Sequence, residues 1–183
     1  LEAMTARAHV ILYGARRQRM GSLVELVVFE GPRAVRESGR FVAVAAALFV
    51  LPLLVGLIGT LQFEGFGEAV LPPQVRAGMA HAYADGFDGR DASTNAGMTG
   101  FYVMNNVGIA FRCFATGVLF GLGPLFFLVY NGLTIGAVLG WVIRSGHGHN
   151  ILTFVSGHGS FELTAIVLSG AAGLQMGWAL LHP

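Results

Sequence analysis

A short polar motif near the carboxyl end of the chain has residue types that could do chemistry. The stretch GHGSFE places His158 and Glu162 at i,i+4 spacing, with Ser160 between them. On one helix face they could share a metal ion with His147 or His149. No recognised ligand pattern accompanies them, and Ser160 lacks the G-x-S-x-G elbow of a serine hydrolase. We therefore expect no metal, no cofactor and no catalytic residue, and we do not predict an enzyme.

Further polar residues lie inside apolar runs that lipid would otherwise surround. With the motif they form a predicted intramembrane polar layer: Asn105, Asn106, Arg112, Asn131, His158 and Glu162. A charge at the bilayer centre costs about 2.5–3.5 kcal/mol on insertion scales, so these groups must face protein or trapped water. Residue counting places four of these residues near the extracytoplasmic face of the membrane: Asn105, Asn106, His158 and Glu162. Arg112 and Asn131 lie deeper. An Arg112–Glu162 ion pair would require the arginine to stretch along its helix.

Two explanations of Glu162 stay open. It could lie in the first turn of a helix capped by Ser160, where free amides and the helix dipole favour a carboxylate. Alternatively, it could line a functional polar layer between membrane helices. The asparagines could likewise serve only as contacts between helices, worth about 0.6 kcal/mol each.

Membrane helices would position these residues. Of the 183 residues, 54% are hydrophobic and 11% are charged, and the mean hydropathy is +0.65. About 20 apolar residues cross a bilayer. The apolar runs predict an all-α, polytopic membrane helical bundle with about four transmembrane helices, over 41–61, 101–122, 125–143 and 161–181. The second and third spans should meet with almost no loop at Gly121, Gly123 and Pro124.

Charge on either side of the first span predicts the topology. Seven arginines precede it and acidic residues follow it in the loop 62–99, so the positive-inside rule puts the amino terminus on the cytoplasmic side of the membrane. Residues 1–40 would be basic amphipathic helices on the membrane surface, although a small soluble subdomain fits the same pattern. Residues 41–183 would form the transmembrane domain. The net charge of +1 does not favour nucleic acid as a partner.

The polar connections carry further expectations. In the outer loop, QVRAGMAHAY is predicted as a short helix and DGFDGRD as a solvated turn. The stretch RSGHGHNILTFVSGHG is predicted as a polar outer turn between the last two spans. Because the chain starts at Leu1 without a signal-peptide pattern, we expect a longer parent polypeptide.

Glycines at i,i+4 spacing mark three successive spans with flat faces that admit a close neighbour. These predicted packing residues are Gly117, Gly121, Gly132, Gly136, Gly140, Gly173 and Gly177. We expect spans two to four to pack tightly and the first to be more peripheral. Whether a flat face meets the same chain or a second copy is left open, so a homo-oligomer is one expected state.

The run NNVGIAFRCFATGVLFGLGPLFFLVYNGLTIGAV, followed by FVSGHGSFELTAIVLSGAAGLQMGWALL, resembles the membrane core of the stage II sporulation protein M family. The similarity covers about Phe101 to Leu181. By resemblance, the characteristic polar positions fall on Asn105, Asn106, Arg112, Asn131, Gly132, His158, Gly159 and Glu162. It implies a lipid-embedded, multi-pass component of a cell-envelope or engulfment-type complex in the bacterial inner membrane, with envelope-remodelling proteins or a MoxR-like ATPase system as partners. It also implies a further apolar segment after Pro183.

The residues and the resemblance leave two functions to compare. One is a non-enzymatic scaffold, favoured because no complete catalytic or phosphate-binding constellation is present. The other is a small transporter or channel-like permease, favoured by Arg112, Asn131 and Glu162 within the membrane and by the near-loopless break between two spans.

Overall fold

The computed structural model describes residues 24–84 and 92–182. The chain divides into two units, Leu1–Glu37 and Ser38–Pro183. In the first, a π-helical turn, Leu26–Glu30, leads into helix α1, Gly31–Glu37. Arg33 pairs with Glu37 one turn later at 2.8 Å, on the helix surface. The prediction of surface helices over residues 1–40 stays untested, and its first stretch, HVILYGARRQR, lies outside the described residues.

The second unit begins with the apolar helix α2, Gly39–Gln62, where the sequence predicts a span over 41–61. Two short helices follow it: α3, Phe66–Val70, and α4, Pro73–Ala82. Pro73 suits the first turn of α4 because proline lacks the amide that would have no partner there. The predicted solvated turn DGFDGRD lies outside the described residues.

Helix α5, Ala92–Ala115, begins within the stretch predicted as loop and ends earlier than the predicted span. A single 3₁₀ turn, Thr116–Val118, follows it, and helix α6, Leu122–Val142, begins after a turn of three residues. Gly121 caps α6 with a φ of 82°, a left-handed conformation that favours glycine. The break between α5 and α6 therefore includes Gly121, as predicted. It begins at Thr116, however, which is before the GLGPL stretch.

The connection from α6 to the last helix is mostly helical, so the predicted polar turn is wrong. A π-helical turn, Ile143–His147, contains a backbone kink at Gly146, whose φ is 90°. Helix α7, Gly148–Phe154, follows, then a π-helical turn, Val155–Gly159, and helix α8, Ser160–Leu181. The apolar residues between the two glycine-rich ends make α7 a packed helix: Ile151 is buried against Val142 and Tyr83.

The described part of the chain is helical and contains no strand, which confirms the all-α part of the predicted fold class. Three helical stretches are long and apolar enough to cross a membrane: Gly39–Gln62, Leu122–Gly157 and Ser160–Leu181. Helix α5 is not among them, because Asn105, Asn106 and Arg112 lower its hydropathy. The predicted count of four spans is thus not confirmed by length and composition.

Helices α2 and α6 form the most extensive contact in the bundle, and they run parallel. A Cβ added at Gly132 would overlap the carbonyl oxygen of Phe49, and one at Gly136 would overlap that of Leu53. Such close approach needs glycine, since any side chain would separate the backbones. The expectation that the first span is peripheral is therefore wrong.

Helix α8 connects the two sides of the bundle. It runs antiparallel to α6, because Gly170 meets Leu128 whereas Gly173 meets Pro124. It runs parallel to α5, because Gly117 meets Gly173 four residues before Gly121 meets Gly177. The main core lies where these helices converge with α2, and it is formed by Ala45, Phe49, Ile109, Cys113, Leu128, Ile166 and Ala171.

Candidate functional site

A hydrogen bond between two long helices forms the centre of the candidate site. Asn106 on α5 donates through Nδ2 to Oε2 of Glu162 on α8, at 2.5 Å. Both residues are half-buried. A bond to a carboxylate is stronger than one between neutral groups, and partial burial strengthens it further. The structure thus brings together two members of the predicted polar layer.

Glu162 lies in the first turn of α8, as the helix-start explanation expects, but Ser160 does not cap that helix and the helix end is not free. Gly159 and Ser160 have helical backbone angles, φ −61° and −60°, and the π-helical turn joins α7 to α8 without an extended residue. Ser160 makes no capping hydrogen bond with its side chain. Its carbonyl instead accepts from the hydroxyl of Thr164 at 2.6 Å. The amides that precede Glu162 lie within helical backbone and are not free to bind its carboxylate. The described partner of Glu162 is Asn106.

Asn105, another member of the predicted outer layer, makes no hydrogen bond to this pair among the described residues. Its side chain is exposed on α5. The side chain of His158 lies outside the described part of the structure. Among the described residues, no group of three or more His, Cys, Asp or Glu is placed to hold a metal ion.

Arg112 is exposed on α5 and makes no ion pair or side-chain hydrogen bond with the described residues. It lies six residues beyond Asn106, or about 9 Å further along the helix axis. Glu162 is bonded to Asn106, so the stretched Arg112–Glu162 pair does not form. The guanidinium thus has no described counterion near the middle of the bundle.

Asn131 does not connect helices through its amide. It donates to the carbonyl of Phe127, one turn earlier on α6, at 2.7 Å. This is a local bond of the kind that short polar side chains make to their own helix. The described hydrogen bond of Asn131 therefore stays within α6 and does not support its interpretation as a contact between helices.

The predicted packing glycines are all buried, and their close neighbours belong to the same chain. Gly132, Gly136 and Gly140 face α2, whereas Gly117, Gly121, Gly173 and Gly177 form the contact between the α5–α6 connection and α8. Sequence reasoning missed Gly56, whose added Cβ would overlap the carbonyl of Leu133. The signal was present, because Gly56 and Gly59 lie within the first apolar run.

Two arginines near the ends of the spans were also missed. Arg144 donates to the carbonyl of Thr60 at 2.9 Å and to that of Phe63 at 3.4 Å, and so binds the carboxyl end of α2. A cation is favoured there by the unpaired carbonyls and the helix dipole. At the opposite end, Arg40 lies over the rings of Phe41 and Trp178. Both arginines directly flank an apolar run, which is the signal that could have identified them.

Comparison with known proteins connects this geometry to a family. The model of a family described as Stage II sporulation protein M matches residues 41–183. An uncharacterized protein of Methanocaldococcus jannaschii is 29% identical over 73 residues, which cover 39% of this chain and 41% of that protein. The chain thus matches less than half the length of this relative. No solved structure matches.

Proposed function

Because the chain belongs to the stage II sporulation protein M family, we propose that it is a non-enzymatic component of a multiprotein complex in the bacterial inner membrane. Its amino terminus would lie in the cytoplasm. The predicted resemblance to the family is confirmed, and with the three candidate spans it makes the chain a membrane protein. The observation that carries the scaffold role is the outward face of α5, where Arg112 has no described partner.

We infer that α5 is a fourth span, despite its lower hydropathy. It runs parallel to α8 from the Asn106–Glu162 bond to the contact of Gly117 with Gly173. Since α8 is itself a candidate span, α5 traverses the same layer. The arginines before α2 and the acidic residues after it support a cytoplasmic amino terminus.

On this arrangement, Arg112 lies near mid-membrane on a surface that would face lipid. Leaving it there costs about 2.5–3.5 kcal/mol, and a carboxylate on an adjacent helix would remove much of that penalty. A neighbour can approach closely, because a Cβ at Gly108 would meet nothing within 4 Å. The partner is therefore a transmembrane helix with an Asp or Glu at the depth of Arg112.

A second copy fits this face less well. In a twofold contact between α5 helices, both Arg112 side chains would lie at the same depth and repel each other. The predicted homo-oligomer stays untested, but the glycine stripes no longer motivate it, since they meet neighbours within the chain. The partner classes we propose are envelope-remodelling proteins and the membrane proteins of a MoxR-like ATPase system.

Site-specific photo-crosslinking in cells tests the scaffold role. A photoreactive amino acid at Phe111, 68% exposed on α5, should capture a membrane protein that the same probe at Leu51, 62% exposed on α2, does not. Arg112→Gln should weaken the capture, and Arg112→Glu should be rescued by an Asp→Arg or Glu→Arg change in the partner helix. Capture unaffected by Arg112→Gln, or a partner without an acidic residue at that depth, would overturn the proposal.

A transporter is the second candidate, favoured by the Asn106–Glu162 bond between two membrane helices. Purified protein in sealed vesicles would then move an ion or polar solute without other proteins. Glu162→Gln should abolish such movement while leaving the helical content unchanged. Transport by the purified protein would reject the scaffold role as the main function.

A further inference from the structure

An apolar cavity opens at the end of the bundle where α2 begins and α8 ends. Its volume is about 410 Å³, within the range of about 300–1,000 Å³ common for ligand sites. The walls include Phe41 and Val44 of α2, Leu125 of α6, and Leu174 and Trp178 of α8. An apolar cavity of this size is poorly suited to water, which needs polar partners. Its chemistry fits a hydrocarbon chain.

Arg40 is the charged residue in the lining. Its guanidinium carbon lies 4.7 Å from the ring centroid of Phe41 and 5.7 Å from that of Trp178. Stacking on aromatic faces positions a guanidinium while its N–H edges stay available to an anion. The ion pairs among the described residues are formed by Arg33 and Arg76, so Arg40 has no carboxylate partner among those residues.

The ends of the spans define the depth of this cavity. Arg40 is the second residue of α2, and Trp178 lies in the last turn of α8, with its ring stacked on His182 at 4.0 Å. Tryptophan is enriched at membrane–water interfaces, and basic pockets between membrane helices bind lipid headgroups. The cation is thus at headgroup level and the apolar walls extend towards the hydrocarbon.

We propose that the cavity binds one anionic phospholipid. Its phosphate pairs with the guanidinium of Arg40, and one acyl chain fills the groove between α2, α6 and α8. An anionic lipid is favoured over a zwitterionic one because the site supplies a positive charge without a described internal counterion. The site is separate from Arg112 on α5 and from the partner helix proposed there.

Tryptophan quenching by brominated lipids tests the site. The chain has 2 tryptophans, so Trp141→Phe leaves Trp178 as the reporter. In phosphatidylcholine nanodiscs, phosphatidylglycerol with brominated acyl chains should quench Trp178 with an apparent affinity roughly fivefold higher than brominated phosphatidylcholine does. Equal quenching by the two lipids in this protein, whose lipid site carries no substitution, would overturn the proposal.

Three variants test the contact with the phosphate and the contact with the acyl chain separately. Arg40→Gln should abolish the preference for the anionic lipid, whereas Arg33→Gln, on the surface of α1, should retain it. Val44→Phe should weaken quenching by both lipids, because the ring occupies space needed by the chain. Persistence of the preference in Arg40→Gln, or unchanged quenching in Val44→Phe, would refute the assigned contacts. Inorganic phosphate should not relieve quenching, and relief would refute the role of the acyl chain.

Discussion

The contact between α2 and α6 makes a quantitative prediction for Gly136→Ala. The new Cβ would lie 2.8 Å from the carbonyl carbon of Leu53 and 2.9 Å from the amide nitrogen of Leu57. Since favourable contacts between nonbonded heavy atoms lie at about 3.5–4.0 Å, these two atoms alone would require the helices to separate by roughly 0.7 Å. The carbonyl oxygen of Leu53 lies closer still to the new Cβ and would require more. Overpacking of this kind costs about 1–3 kcal/mol.

Two smaller effects act in opposite directions. The glycine hydrogen now points at the Leu53 carbonyl, and losing such a weak Cα–H···O contact costs about 0.5–1 kcal/mol. Alanine gains up to about 1 kcal/mol in helix propensity over glycine. Because these effects largely cancel, we expect a net loss of about 1–3 kcal/mol in the free energy of unfolding.

Unfolding in mixed micelles of a mild detergent and dodecyl sulfate, followed by far-ultraviolet circular dichroism, measures this loss. The matched control is Gly108→Ala on α5, where the added Cβ would meet nothing within 4 Å. It should leave the stability unchanged or raise it through helix propensity. If Gly136→Ala were as stable as Gly108→Ala, the close parallel contact of α2 with α6 would be refuted.

The remaining predictions concern polar groups inside the bundle and use the same unfolding assay. Asn106→Ala removes the donor to Glu162 and should cost about 1–3 kcal/mol, whereas Glu162→Gln keeps an acceptor oxygen and should cost less than about 1 kcal/mol. Additive effects in the corresponding double mutant would indicate that the pair is not formed. Thr60→Val should be neutral or stabilising by up to about 1 kcal/mol, because the Thr60 hydroxyl is buried without a partner among the described residues. A clear loss in Thr60→Val would show that the hydroxyl is hydrogen-bonded.

Features determined by local composition could be predicted from the sequence. Three of the four apolar runs correspond to helices long and apolar enough to cross a membrane. The residues from Asn105 to Glu162 indicate the family, which is confirmed. The helix break at Gly121 also follows from the glycines and the proline between two apolar runs. These inferences depend on neighbouring residues and on hydrogen bonds within one segment.

Features that depend on which helices meet could not be predicted in the same way. A glycine stripe such as Gly132, Gly136 and Gly140 indicates a flat face but not its neighbour, which is why α2 was wrongly expected to be peripheral. Likewise, the glycines around Gly146 and Gly157 made the whole connection resemble a loop, although the apolar residues of α7 have a packed face between them. For Glu162, the contact with Asn106 depends on the parallel pairing of α5 and α8.

The parallel pairing of α2 with α6 also affects how the protein is made. Arg144 reaches the carbonyl of Thr60 across 84 positions of sequence, which ribosomes translate in about 4–17 s. Helix α2 is therefore complete for seconds before α6 exists, and during that time its glycine face lacks the α6 partner. Insertion and assembly of this bundle are then separate events. A variant such as Gly136→Ala would insert normally but stay longer in the unassembled form, where membrane proteases can remove it.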